Sequence, residues 1–370
     1  MRHFIREYRR ARAITATYYP VIIFSESRYY FQYFEKIFND ILEKTNVPVL
    51  YITNDSSDPL LQVNKERLQV VYMNLFLLYI FPRLQAGVVL STMPGLGTHL
   101  YKRSSGVNAY VYLFHAAVSV HQQYLKDAFF KFDAVFALHH QQVAELRKME
   151  VIYNLPEKDI VAYGYPLLDS FRKPPHSTAE KTILIAPSWY DQCIFETCIY
   201  DLLKCITPLP YRIVVRPHPE YVKRSPAAYR QLKKEIKKYD NVFLEEDPDV
   251  FASLFHADIL ITDRSGIALE YAFGLLKPVL FIDTPPKIMN THWKDLEMEP
   301  FENKMRSRIG ISVLPEQLST IASVIMDLHL HRTLYREALM KIKDEYFFNA
   351  DSAYAEGLKY ILSKARRPEK

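Results

Sequence analysis

The stretch from Ala257 to Thr284 constrains the fold more than any other part of the chain. Asp258 to Thr262 is a β-branched apolar run of the kind buried in a parallel sheet. Asp263 to Gly266 is small and polar, and Ser265 stands where it would cap a following helix. Ile267 to Phe273 has a helical pattern, Gly274 is expected to stop it, and Pro278 to Asp283 is the next apolar strand. This is a βαβ unit, whose right-handed crossover puts the turn at the carboxyl edge of a parallel sheet. A helix N-terminus there offers free N–H groups and a positive dipole end to an anion, most naturally a phosphate. A plain helix cap would carry the same residues, so the turn alone does not choose between the two.

A second unit upstream decides. Tyr211 to Val215 is another buried strand, and it empties into Arg216, Pro217, His218 and Pro219. The prolines fix φ on both sides of the histidine and remove two N–H donors. An arginine and a rigidly aimed histidine at a carboxyl edge suit phosphate chemistry.

Together these two units resemble the CDP-glycerol glycerophosphotransferase family, which builds teichoic-acid and capsule-type polymers. Ile183 to Trp189 is similar to the segment that opens the family's C-terminal domain, and Gly164 to Asp169 to its interdomain segment. Phe114-His115 sits where the family has a His-Gly-Thr-Pro loop. The resemblance spans roughly residues 110–315. It implies a GT-B architecture: two doubly wound α/β domains of Rossmann type, facing across a cleft. It also implies transfer of glycerol phosphate, or a related polyol phosphate, from a CDP-activated donor to a hydroxyl of a lipid-linked or polymeric glycan, with release of CMP. CDP-glycerol and CDP-ribitol are both open as donor.

The reaction needs a base near the attacking hydroxyl and positive or donor groups around the phosphates. The resemblance assigns His115 as general base and His218 as the group that stabilises charge on the phosphate, with Arg216 assisting. Ser265, Gly266 and the N–H groups after them would hold the pyrophosphate, with Arg264 adding a charge and Asp263 ordering the turn. Glu270 would contact the donor's glycerol or ribose hydroxyls, and Ser188 and Trp189 would line the nucleotide side. Without the resemblance, His115 reads as a core or capping histidine. Two departures from the family pattern stand out. Ala116-Ala117-Val118 replaces the small Gly-Thr-Pro, and Gly266 replaces a second serine, while Arg264 replaces an aromatic residue. The acceptor-side loop must therefore differ in shape. A sugar-nucleotide glycosyltransferase or epimerase on the same architecture stays open, as does an inactive relative that binds nucleotide or glycan. His121 is a lesser substitute for His115, His139 and His140 read as surface, and His256 as structural.

At 370 residues the chain is long enough for two domains. Cys193, Cys198 and Cys205 have no CxxC spacing and no nearby histidine cluster, which excludes a disulfide framework and a zinc site and suggests a reducing cytoplasm. Carboxylates are not paired at ligand spacing near either histidine, so no metal or other cofactor is expected to be required; Mg²⁺ on the donor pyrophosphate is compatible with the pattern. No apolar run reaches the ~20 residues of a membrane span, and no secretory signal is seen. The net charge of +5 gathers at Arg2 to Arg12, Lys233 to Lys238 and Lys364 to Lys370. Without interleaved aromatics or a known module this does not indicate nucleic-acid binding. It fits either solvated helix faces or attraction to an anionic membrane, which would place the protein peripherally on the inner face of the cell membrane.

Strand and helix signals alternate along the whole chain. Strands are expected at Pro20 to Ser25, Val47 to Thr53, Gln69 to Met73, Gly87 to Thr92, Ala109 to Phe114 and Phe132 to Leu138. The proline-rich region from Leu155 to His176 reads as interdomain. The resulting division is an acceptor-side domain over 1–165, a linker over 166–180, a donor-binding domain over 181–345, and a terminal helix with a basic tail over 346–370.

Overall fold

The computed structural model describes residues 2–98, 101–171, 181–246, 252–348 and 350–367. Thirteen strands in these residues form two sheets, parallel throughout. The first contains β1 (Tyr18–Ser25), β2 (Val49–Thr53), β3 (Leu68–Tyr72), β4 (Gln85–Ser91), β5 (Val107–Leu113), β6 (Ala134–Ala137) and β7 (Asp159–Ala162). Their spatial order is β3-β2-β1-β4-β5-β6-β7. The second contains β8 (Thr182–Ile185), β9 (Arg212–Val215), β10 (Val242–Leu244), β11 (Ile259–Thr262), β12 (Val279–Ile282) and β13 (Gly310–Val313), in the order β10-β9-β8-β11-β12-β13. Val21 to Ile23, Val49 to Ile52 and Ile259 to Ile261 are essentially inaccessible to solvent. Helices cover both faces of such sheets, which is why their strands read as unbroken apolar runs. Strand order reverses between β1 and β4 and between β8 and β11, the two places where open sheets of this kind leave a crevice for ligands.

Four features differ from the sequence reading. A helix at Arg2–Ala16 precedes β1 and packs on the short helix Leu77–Ile80. β7 lies within the stretch read as interdomain; it is an edge strand with a half-exposed pattern, so it lacks the apolar run that marks the others. The stretch 191–206, whose apolar spacing predicts one helix, breaks at Cys198 into Ile194–Thr197 and Ile199–Ile206. Gly274 does not stop its helix, which runs through it as Ile267–Leu275 and ends on Leu276 in the left-handed region. Gly274 is there because Phe171 presses on it: a Cβ would lie 2.5 Å from that ring. Most of the linker (172–180) falls outside the described residues.

The last helix, Ala350–Lys364, returns to the first sheet. Tyr18 donates to the carbonyl of Ala365, and Asn108 Nδ2 to those of Lys364 and Arg366. The approach is so close that a Cβ on Gly87 of β4 would lie 2.5 Å from Ala365 Cα. Gly87→Ala should therefore displace the end of this helix and cost about 1–3 kcal/mol, the usual range for overpacking. A fall in the urea unfolding midpoint would show it; an unchanged midpoint would mean the contact yields freely.

Candidate active site

Loops at the carboxyl edges of the two sheets meet, and the residues expected to act lie on them. On the second domain, β11 delivers Asp263 into a fully buried position. Its carboxylate accepts the N–H groups of Ser188 (2.8 Å), Ile194 (2.9 Å) and Arg264 (2.6 Å), so it ties the ends of β8 and β11 into one turn. Burial raises its pKa, with these three bonds and Arg306 opposing. The Arg264 guanidinium points toward the end of β12. Nη2 donates to Asp283 (2.7 Å), and both Nε and Nη2 donate to the Thr284 carbonyl. Its charge is thus engaged beside the turn instead of standing free within it.

Ser265 does not cap the helix, which begins at Ile267 after Gly266 with no side-chain cap. The N–H groups of Ser265, Gly266 and Ile267 have no acceptor among the described residues, and they form the donor set that a helix N-terminus presents to an anion. Gly266 faces the first domain: a Cβ here would lie 3.2 Å from Val118 Cγ1 and 3.8 Å from Ala116 Cβ.

β9 positions further groups of the second domain. Arg216 is buried against the strand end, where Nη1 donates to Ser253 Oγ (3.1 Å) and Nε lies 3.5 Å from Glu245. His218 caps the helix Pro219–Arg224, its Nδ1 accepting the Glu220 N–H at 3.1 Å. A neutral imidazole with Nδ1 as acceptor carries its proton on Nε2, which leaves one N–H donor free to act. Burial first, then the charges of Lys287, Arg216 and His115, push the His218 pKa down to about 4, with Glu220 opposing. Its ring lies 6.1 Å from that of Trp189.

On the first domain, β5 ends at Leu113, and His115 follows with Tyr112 Oη 3.3 Å from its Nδ1. The rings of Tyr30, Tyr33 and Tyr124 surround it at 5.4, 5.9 and 6.2 Å. Burial pushes its pKa down to about 4, against a hydrogen bond to the backbone of Thr92. Tyr165, from the segment between the domains, donates to Glu270 Oε1 (2.7 Å) and lies 3.1 Å from the His115 carbonyl. Burial raises Glu270 to about 7, with Tyr165 and Arg216 opposing. Glu302 of the second domain accepts from Ser119 N and Oγ (2.8 and 3.0 Å).

Thus His115, His218, Arg216, Glu270 and the 263–266 turn are brought together, with Ser188 and Trp189 on the flank. A cavity of about 660 Å³ opens on the Trp189 flank of this group, lined in part by Trp189, Tyr221, Arg224 and Lys287 and by neither histidine. Among the described residues no group of three His, Cys, Asp or Glu is disposed to hold a metal ion.

Two groups at the site were missed in the sequence. Lys287, after β12, donates to Ser188 Oγ at 3.2 Å and lies 4.4 Å from the centre of the Trp189 ring. Glu26 follows β1 at the reversal of strand order, where burial and then repulsion from Glu220 push its pKa up to about 7. A carboxylate directly after the first strand was its only signal. The histidines read as surface divide: His140 is exposed, but His139 is fully buried, stacked on Phe301 at 4.0 Å. His121 is likewise buried, its Nε2 3.1 Å from the Met298 carbonyl and its Nδ1 3.3 Å from Glu145. It braces the interface instead of facing the cleft.

Comparison with known proteins agrees with this fold. The wall teichoic acid polymerase TagF, as a single-residue variant, has the same fold at 17% identity and a TM-score of 0.60, covering 95% of this chain and 88% of that one. S. aureus MnaA in complex with UDP matches at 13% identity and a TM-score of 0.59, covering 95% and 99%. A putative UDP-N-acetylglucosamine 2-epimerase from Listeria monocytogenes matches at 16% and 0.57, covering 95% and 98%. No curated protein matches the sequence. The family model for CDP-glycerol:poly(glycerophosphate) glycerophosphotransferase matches residues 18–305, more than three quarters of the chain, and the protein belongs to that family.

Proposed function

We propose that this protein transfers glycerol phosphate, or a related polyol phosphate, from a CDP-activated donor to a hydroxyl of a lipid-linked or polymeric glycan. The observation that carries the reading is the meeting of His115 and His218 from opposite domains at an open helix N-terminus. The family match supports the donor class, as does a TagF structure soaked with CDPG. The acceptor hydroxyl attacks the glycerol-bearing phosphorus, the new O–P bond forms, and the bond to CMP breaks. His115 takes the hydroxyl proton; burial keeps its imidazole neutral at pH 7 and able to accept it. His218 donates from Nε2 to a phosphate oxygen, and the N–H groups of Ser265 to Ile267 hold the diphosphate. Glu270 meets the donor's hydroxyls, while Asp263 and Arg264 keep the turn in shape. No resident metal enters the steps; Mg²⁺ would arrive only with the donor, and EDTA in a transfer assay tests this.

The proposed workplace is the cytoplasmic face of the membrane, where a peripheral enzyme meets a lipid-linked acceptor. Among the described residues no helix is long and apolar enough to cross a membrane. One surface supports docking onto anionic lipid. The helix Arg2–Ala16 exposes Phe4 (55%), Ile5 and Tyr8. Phe4 and Tyr8 pack on Phe76 between the exposed side chains of Leu75 (59%) and Leu78 (57%). Arg6, Arg9, Arg10 and Arg12 on the same helix are also exposed. Apolar side chains ringed by arginines suit a negatively charged bilayer surface.

His115→Ala should lower turnover by about 10²–10⁴-fold while retaining thermal stabilisation by CDP-glycerol, about 2.7 kcal/mol at a hundred times its Kd. Stabilisation by UDP-sugars alone would hand the case to the glycosyltransferase or epimerase reading, and binding without turnover to an inactive relative.

The neutral state of His115 has its own test. An unfolded histidine binds a proton near pH ~6.5, the folded His115 only near 4. As pH falls between these values the unfolded chain takes up a proton that the folded one refuses, so stability is lost; above about 7 the site adds no pH dependence. Urea midpoints of His115→Gln and wild type should therefore shift in the variant's favour between pH 7 and pH 5. A constant difference would mean that His115 titrates normally.

Combining Phe4→Glu, Leu75→Glu and Leu78→Glu should abolish sedimentation with phosphatidylglycerol vesicles and leave donor binding intact. Unchanged sedimentation would overturn the docking surface.

A further inference from the structure

We propose that Lys287 binds the donor's diphosphate directly and carries the charge that builds on the departing nucleoside monophosphate. The inference rests on the transfer reading above and adds to it a group that neither sequence motif contains. Lys287 sits on the loop after β12 and is only partly exposed. Its ammonium has three donors, of which one reaches Ser188 Oγ at 3.2 Å, and the Trp189 ring centre lies 4.4 Å away. Among the described residues no carboxylate lies within ion-pair distance of it. A cation withdrawn from water in this way is poorly compensated until an anion arrives.

The place where that anion would sit is defined by its neighbours. Lys287 lies close enough to His218 to oppose its protonation, and it lines the 660 Å³ cavity beside Trp189. Ser188, which it touches, is held by Asp263 at the start of the phosphate turn. The backbone around it is fixed to the first domain: Gln123 Nε2 donates to the Lys287 carbonyl at 3.1 Å, and the N–H groups of Met289 and Asn290 donate to the Gln122 carbonyl. The ammonium is thus placed before the donor binds, as electrostatic stabilisation of a leaving group requires. When the P–O bond to CMP breaks, the electron pair stays on the CMP oxygen, and a fixed cation there stabilises it without transferring a proton.

The charge is also adjustable. Burial pushes Lys287 down to about 8, against Asp263, Glu302 and Cys193, while Arg224 works with burial. His218, neutral at pH 7, also faces it. Free enzyme should therefore lose diphosphate affinity as pH rises through about 8.

Titration calorimetry with CDP and CMP provides the test. Wild type should prefer CDP, and Lys287→Met should narrow the CDP-to-CMP affinity ratio by about tenfold or more, the size of one charge-assisted bond. Lys287→Arg, which stays charged at every pH, should keep the ratio and move the alkaline fall upward. A merely structural lysine would alter melting temperature and leave that ratio in place. Lys287→Met with wild-type CDP preference and turnover would overturn the inference alone. Wild type that binds no cytidine nucleotide would overturn the donor reading, and this inference with it.

Discussion

The buried carboxylate of Asp263 is the constraint on which the carboxyl edge of the second sheet depends. Three backbone N–H groups from two strand ends converge on it, and a fourth chain segment joins through Arg306, which donates to the Asp263 carbonyl at 2.7 Å. Taking a carboxylate out of water is expensive unless its lone pairs are met, and here they are met by the backbone itself. The consequence is geometric. With Asp263 satisfied in this way, Ser188 stands beside the turn, the helix from Ile267 begins with its first N–H groups open, and Arg264 is drawn aside to Asp283. The turn keeps the N–H groups of Ser265 to Ile267 open because its own acid takes only that of Arg264.

A second constraint joins the domains. Tyr165 places one hydroxyl between the His115 carbonyl and Glu270, and Glu302 holds Ser119 from the opposite side. Met289 and Asn290 add backbone bonds to Gln122. His115 is therefore located by the second domain as well as by β5. A change at the interface far from the histidines would thus move His115 relative to the second domain.

These two constraints explain what the sequence disclosed. The βαβ unit and the strand before His218 were legible because burial on both faces leaves continuous apolar runs, and because proline and glycine punctuate them. β7 was not, since an edge strand needs no such run, and the helix before β1 was not, since its exposed face mixes Phe4, Ile5 and Tyr8 with arginines. His139 looked like surface because two adjacent histidines at a helix start resemble a polar cap; Phe301, over 150 residues away, turns one of them into core. Lys287 escaped for the same reason. A loop lysine has no periodicity, and only the fold brings it to Ser188 and Trp189.

The two departures from the family pattern are physically one. Ala116 and Val118, which stand in the loop after His115, are the nearest neighbours of the missing Cβ at Gly266. A serine at 266 would place its Cβ 3.2 Å from a Val118 methyl carbon, closer than ordinary contact allows. A side chain at 266 would thus need the Val118 methyl to give way by a few tenths of an ångström, which couples the residue on one domain to the loop on the other. The turn at Gly266 accordingly faces two aliphatic side chains, Val118 and Ala116. With Ser265 as the turn's remaining hydroxyl, the donors the turn leaves open are mainly the backbone N–H groups of Ser265 to Ile267.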